Sequence, residues 1–277
     1  VHVILSTPPS TAVAALSPWF VAPALLALVA YALAAPRGLR WAERWALPVA
    51  WAAHGVALLA HLFGIGQPGT GARFGFAPAL SATAWLVLSV HAVESRFVPL
   101  DGVRRWLAAL GGLSLLLALL FPGEGTLHPS SPWAPLHWLA GLASYGLFGA
   151  AVLHATLLDR SERAMRQRQG PPRVDGLPLL TLEKLTFRFV GAGFVVLTLA
   201  LVFGMGFTAT WHWDHKTVFS LLGWVVLAAL LAGRRAFGWR GRRATRWLYI
   251  GTGLLLLAYV GSRFVFEVLL HRSPPGG

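Results

Sequence analysis

Residues 203–233 read FGMGFTATWHWDHKTVFSLLGWVVLAALLAG. Two long apolar runs meet there across a short polar gap that holds Trp211, His212, Trp213, Asp214, His215 and Lys216. About 20 consecutive apolar residues cross the hydrocarbon core of a bilayer as a helix, so the gap is expected at a membrane surface. Trp is enriched at headgroup depth in any membrane protein, and an interfacial anchor is one reading of the tryptophans. The other is an aromatic platform on which a flat hydrophobic ligand stacks. The Trp-x-Trp-Asp-x-Lys spacing, with Trp224 following, favours the second.

The same alternation runs through the whole chain. Of 277 residues, 56% are hydrophobic and only 12% charged, and the mean hydropathy is +0.63. Apolar runs fall at 19–35, 45–64, 78–93, 103–121, 136–158, 187–209, 216–232 and 246–270. Lipid offers no partner to exposed backbone groups, so these runs are read as helices. The two-residue alternation of barrel strands is absent. The expected fold is an all-α polytopic membrane protein of about eight transmembrane helices, a single helical-bundle domain over 1–277 with little chain left for a soluble domain. Run 78–93 is short and has to borrow flanking residues or thin the bilayer.

Orientation follows from Lys and Arg, which favour cytoplasmic loops. Nineteen of the 23 lie in alternate gaps or at their edges, around 37–44, 96–105, 160–188 and 234–246. The other side has only Arg73, Lys216 and Arg272, and Arg263 lies within the last run. Both termini and the tryptophan gap are therefore expected outside. The N-terminal stretch has no basic n-region and carries Pro8 and Pro9, so it does not read as a cleavable signal. A net charge of +13 invites a nucleic-acid reading. The charge sits in short loops without a recognisable binding module, and topology with anionic headgroups accounts for it. No nucleic acid is expected as a partner.

There is no cysteine. That excludes thiol–disulfide exchange, thiolate metal sites and covalent haem attachment from this chain. P-loop, H-E-x-x-H and G-x-S-x-G motifs are absent. With no nucleophile set, the chain is not read as an enzyme. At most it is a non-catalytic subunit of a larger system. The segment 159–186 reads as a helix extension followed by a Pro/Gly turn.

Ten histidines carry most of the remaining chemistry. His54 and His61 are seven apart and share a helix face, His54 near mid-membrane and His61 near the outer end. His137 opens the fifth run at the outer side. His91 and His154 lie near inner ends, and His128, His212, His215 and His271 in outer gaps or the tail. Neutral imidazole ligates haem iron well. A histidine hydrogen-bonded between helices is the competing explanation for each. In the last run Arg263, Glu267 and His271 are spaced by four and form one stripe. Charge at that depth is costly unless paired or hydrated. The Arg either glues helices through an i,i+4 salt bridge or meets an anionic ligand group such as a haem propionate.

The run WHWDHKTVFSLLGW resembles the WWD signature of cytochrome c assembly proteins, the CcsA/CcmC-type haem-handling family. Trp211, Trp213, Asp214, Lys216 and Trp224 match it, while His212, His215, Thr217 and Phe219 depart from it. A second match, WAPLHWLAGLASYGLF, sets His137 on the family's external haem-ligand histidine, with Ser144 and Tyr145 as companions. The family's second external histidine falls near Gly261-Ser262-Arg263, and its intramembrane one near Ala232, and neither is a histidine here. The ending GWRG…AYVGSRFVFEVLL resembles the YpjD-like and HemX-like inner-membrane branch. The likeness is best over 78–272.

The resemblance implies a bacterial cytoplasmic-membrane protein that binds or presents b-type, non-covalent haem at the outer (periplasmic) face in cytochrome c assembly. His137 is then an axial ligand, Trp211 and Trp213 stack on the macrocycle, Asp214 and Lys216 order the loop, and Arg263 neutralises a propionate. His61 and His271 are the candidates for a second iron ligand. The implied partners are haem, another maturation subunit and apocytochrome c. Two other readings stand beside this one. The first is a haem-free regulatory or assembly protein acting on haem biosynthesis or another membrane complex. The second is a small-molecule transporter whose pathway is lined by His54, His61 and Glu267.

Overall fold

The computed structural model describes residues 16–36, 40–66, 73–96, 103–125, 134–167, 173–174, 177–207 and 213–270. Among the described residues there are eight helices, α1 (Pro18–Ala34), α2 (Arg40–Leu62), α3 (Phe76–Glu94), α4 (Arg104–Leu120), α5 (Ala134–Arg166), α6 (Leu179–Phe207), α7 (His215–Phe237) and α8 (Gly241–Leu269). Two antiparallel ribbons of two residues per strand close loops: β1 (Arg73–Phe74) with β2 (Glu124–Gly125), and β3 (Arg173–Val174) with β4 (Leu177–Pro178). Six helices, α2, α3, α5, α6, α7 and α8, are long and apolar enough to cross a membrane. At 17 residues each, α1 and α4 are about 26 Å long, short of the ~30 Å hydrocarbon core.

The expected runs and the helices agree in number and order. The boundaries move where polar residues continue a helix beyond its apolar part. α5 extends to Arg166, as the reading of 159–186 anticipated. α6 begins at Leu179, eight residues before the expected start. α3 covers 19 residues, because Phe76, Ala77 and Glu94 flank the short apolar run. The ribbons were not foreseen. Strands of two residues leave no periodicity to read.

Local chemistry sets the helix ends. Ser17 caps α1 by accepting from the Trp19 N–H at 3.3 Å, with Pro18 in the first turn, where its missing N–H costs nothing. Gly238 ends α7 at φ 63°, the left-handed cap that glycine adopts without a steric penalty.

Two cores result. One buries an alanine seam, Ala24, Ala27, Ala30 and Ala34 of α1 against Ala42, Ala46, Ala50, Ala53 and Ala57 of α2, with parts of α3 and α4. Small residues at three- and four-residue spacing let helices approach closely where lipid supplies no hydrophobic drive for association. The other joins α5–α8 around Phe148, Leu197, Leu227, Leu230, Leu248 and Leu255. α5 belongs to both, giving Leu157 and Leu158 to the first core and Phe148, Ala151 and Ala155 to the second. Leu25, Leu26, Val29, Val56, Leu59, Val195 and Val225 point outward, as lipid-facing residues do.

Candidate functional site

The site gathers at the end of the bundle where α5, α7 and the last turns of α8 meet. His137 stands in the first turn of α5, half-buried against α6. Its Nδ1 lies 2.7 Å from the Ala200 carbonyl oxygen. A carbonyl only accepts, so Nδ1 carries a proton, and in the neutral ring the lone pair is then on Nε2. A hydrogen bond of this kind fixes a histidine's tautomer and ring orientation. One turn along α6, a Cβ on Gly204 would come within 3.1 Å of the imidazole Cε1 and Nδ1. Glycine there gives the ring its seat. Sequence reasoning missed Gly204, since nothing in GMG tells a seat from ordinary close packing.

Asp214 of the tryptophan loop is the N-cap of α7, its Oδ1 accepting from the Thr217 N–H at 2.7 Å. Partial burial pushes this carboxyl upward. The Thr217 hydrogen bonds, with Lys216 and His215 nearby, outweigh that and hold it below its ordinary value. What the structure gives for Asp214 is the cap on α7. Trp213 is 72% exposed. Trp211, His212, His128 and His271 lie outside the described residues. Trp224 serves packing: its Nε1–H donates to Thr198 Oγ1 at 2.9 Å, and its ring stacks on Phe194 at 5.4 Å between centroids.

Lys216, in the first turn of α7, reaches across to α8. Its Nζ is 5.9 Å from the centre of the Tyr259 ring, and the Arg263 Cζ is also 5.9 Å from that centre. Both cations therefore attend one aromatic ring, at the outer limit of cation–π range. Lys216 is also within electrostatic reach of His137. Tyr259 sits in a π-helical turn, Leu257–Gly261, and a second such turn covers Val265–Leu269. Just ahead of the first, Tyr145 of α5 donates its hydroxyl proton to the Leu255 carbonyl at 2.6 Å. Its neighbour Ser144 is buried and donates to the Gly141 carbonyl at 2.7 Å.

Arg263 and Glu267 pair at 3.7 Å. Glu267 also accepts from the Phe76 N–H at 3.4 Å, setting a carboxylate at the positive N-terminus of α3. A Cβ on Gly75 would lie 3.1 Å from Glu267 Oε2 and 2.8 Å from Gly123 Cα, so this junction of β1, β2, α3 and α8 depends on a glycine. The Arg263–Glu267 salt bridge foreseen from the spacing exists. It sits beside the Lys216–Tyr259 contact, so Arg263 serves packing and borders the site as well.

The remaining histidines sort by partner. His61 packs in the N-terminal core, its Nε2–H donating to the Pro122 carbonyl at 2.7 Å and its ring 4.5 Å from Phe20. Service as a second iron ligand requires breaking that bond or using Nδ1. His54 is fully buried, with Nδ1 2.9 Å from the Tyr31 hydroxyl and Nε2 2.8 Å from Ser81 Oγ. Both its nitrogens tie α2 to α1 and α3, the role of interhelical glue. Nε2 of His154 approaches Glu94 at 3.1 Å, short of an aligned hydrogen bond. Among the described residues no three His, Asp or Glu side chains converge as a metal site.

Fold and site together define a multi-pass membrane bundle with a tautomer-fixed histidine and two cations at one end of its C-terminal helices. The chain matches the model of the family described as "Cytochrome C assembly protein" over residues 10–270 and belongs to that family. It is 29% identical over 266 residues to the inner membrane protein YpjD of Escherichia coli K12, covering 89% of this chain and 98% of that one. An uncharacterized 28.8 kDa protein of Azospirillum brasilense is 30% identical over 208 residues, 69% of this chain and 76% of its own. The cytochrome c biogenesis protein CcsA of Prochlorococcus marinus is 24% identical over 223 residues, 68% and 71% of the two chains. No solved structure matches.

Proposed function

We propose that this protein binds haem non-covalently at the outer face of a bacterial cytoplasmic membrane and presents it during cytochrome c assembly. The observation that carries the reading is the His137–Ala200 hydrogen bond, which leaves Nε2 as the basic nitrogen of a seated imidazole. The donor set suits a dianionic porphyrin. His137 offers a neutral nitrogen to iron, and Lys216 and Arg263 offer positive charge to carboxylates. Both cations lie 5.9 Å from the centre of the Tyr259 ring. Asp214 anchors the loop that carries Trp211 and Trp213, whose rings offer a stacking surface. In this reading all eight helices span the membrane with both termini and the tryptophan loop outside. The Lys/Arg asymmetry of the loops and the family of the chain support it. His61 and His271 remain the candidates for the second ligand. Another maturation subunit and apocytochrome c are the proposed partners, and the chain itself makes no bond.

The test is the oxidised and reduced absorption spectrum of the full chain, purified in mild detergent from haem-sufficient cells. Soret and α bands at near-equimolar haem, weakened by His137→Ala, are the expected result. A colourless protein that also fails to take up added haem would favour the second reading, a haem-free regulatory or assembly protein. One observation leans that way: the position of the family's other external histidine is held here by Gly261-Ser262-Arg263, and His61 is already bonded to Pro122.

A further inference from the structure

The opposite end of the same helices carries a second arrangement that the haem reading does not use. Two recesses adjoin there. The smaller has a volume of about 120 Å³ and is walled by Asp159, Arg163, Arg242, Thr245 and Arg246. The larger, about 520 Å³, shares Arg242, adds Arg166, and is lined in part by Met165 and Leu179.

The charges of the smaller recess do not cancel. Asp159 is its one carboxylate, and both oxygens are already engaged: Oδ1 accepts from the Thr245 hydroxyl at 3.0 Å and Oδ2 from the Tyr249 hydroxyl at 2.9 Å. Three guanidiniums face this single acid. Arg163 is steered by its own Nε–H, which donates to the Asp159 carbonyl at 3.0 Å. In the larger recess Glu183 is taken by Arg234 at 2.8 Å and Arg240 at 3.4 Å. Glu162 lines the same recess beside Gly241, so two carboxylates there, Glu162 and Glu183, stand with Arg166, Arg240 and Arg242. α8 starts here with no acidic residue in its first turn and no side-chain cap, so its backbone adds partial positive charge. The aromatic residues mark the depth. Arg160 lies 5.2 Å over Trp106, Arg243 lies 4.2 Å over Trp239, and Trp247 packs 5.4 Å from Trp239. Trp in this density is the signature of headgroup level.

We propose that this double recess is a binding site for a phosphate-bearing anion, the headgroup of an anionic phospholipid. Arg163, Arg242 and Arg246 take the phosphate in the smaller recess by charge-assisted hydrogen bonds. The larger recess, with Met165 and Leu179 in its wall, receives the less polar part of the same lipid. A phosphorylated soluble compound shares the chemistry, and the experiment separates the two sources.

The full chain is reconstituted in nanodiscs of phosphatidylcholine with or without phosphatidylglycerol, and lipid retention is measured by native mass spectrometry after release into detergent. Wild type is expected to keep phosphatidylglycerol in preference to phosphatidylcholine. R242Q/R246Q is expected to lose about thirtyfold in that preference, two arginines' worth at a charged surface. The control R96Q/R105Q removes two arginines of the same end that line neither recess, and it is expected to keep the preference. Inorganic phosphate is then added as competitor. Failure to displace the lipid at millimolar concentration supports the lipid, while displacement at low concentration supports the anion site with a soluble ligand. An equal loss in the control overturns the proposal, because diffuse surface charge then suffices. If R242Q/R246Q does not fold, the wild-type comparison decides, and equal retention of the two lipids overturns the proposal by itself.

Discussion

His137 and Ala200, 63 residues apart in sequence, are joined by a 2.7 Å hydrogen bond that decides which imidazole nitrogen is basic. The first turn of α5 is thereby locked to α6, and a residue that otherwise reads as an interfacial histidine becomes an oriented Lewis base. The bond also makes the site testable at positions that touch no ligand.

Gly204 is the first such position. Gly204→Val places a branched side chain where even a Cβ comes within 3.1 Å of the ring. The imidazole must then leave Ala200. The expected outcome is loss of haem absorption comparable to His137→Ala, with about 1–3 kcal/mol of overpacking destabilisation. Absorption spectra and thermal unfolding in detergent check the two effects separately.

Asp214 supplies a pH dependence whose sign follows from its geometry. The carboxylate caps α7, and its folded value lies below the ordinary one. Its contribution to stability is therefore complete above the unfolded carboxyl's value and is lost as pH falls through the folded one. Asp214→Ala should cost about 1 kcal/mol at neutral pH, as lost caps do. Asp214→Asn should keep most of the cap and remove this part of the acid sensitivity. Unfolding midpoints of the three proteins between neutral pH and the acid side of the carboxylate range test this.

Tyr145→Phe removes the hydroxyl that takes the Leu255 carbonyl. With that contact gone, the wide turn at Leu257–Gly261 is expected to tighten. That rotates Tyr259 and Arg263 away from Lys216. The stability change is expected to be small, about 1 kcal/mol, with a larger loss of haem affinity. Hydrogen exchange over 255–262 reports the turn, and haem titration reports the affinity.

Glu267→Gln removes the negative partner of Arg263 and weakens the cap on the Phe76 N–H. Arg263 then keeps its full charge for an anionic group. Haem affinity is expected to rise severalfold and thermal stability to fall. If both fall together, Glu267 orders the site more than it competes within it.

These residues differ in how much of their role could be read in advance. Asp214 was picked out only through the likeness of its motif; that it caps α7 came from the structure, although the acceptor and the Thr217 donor are only three residues apart. The Arg263–Glu267 pair was legible in advance, because a spacing of four on a helix is local. His137 was legible only through the likeness of its surrounding motif. Its tautomer was not, nor was the Gly204 seat, because both depend on how α5 lies against α6. Likewise, His54 and His61 share a face on α2, as their spacing of seven requires. What each one touches was decided by α1, α3 and the Pro122 loop.

By itself, then, the chain's pattern of apolar runs determined an all-helical membrane bundle, the order of its helices and the gap where the tryptophans lie. A bilayer imposes apolarity and length one helix at a time, and each helix satisfies its own backbone, so the information is local. Tertiary structure alone decided that Lys216 and Arg263 attend one ring, that Tyr145 bonds the Leu255 carbonyl, and that His137 turns Nδ1 to Ala200. Each depends on side chains from different helices, 110 residues apart in the case of Tyr145 and Leu255. Such pairs are set by which helices pack and at what depth, and a hydrophobic pattern, having one value per residue, carries no record of a pair.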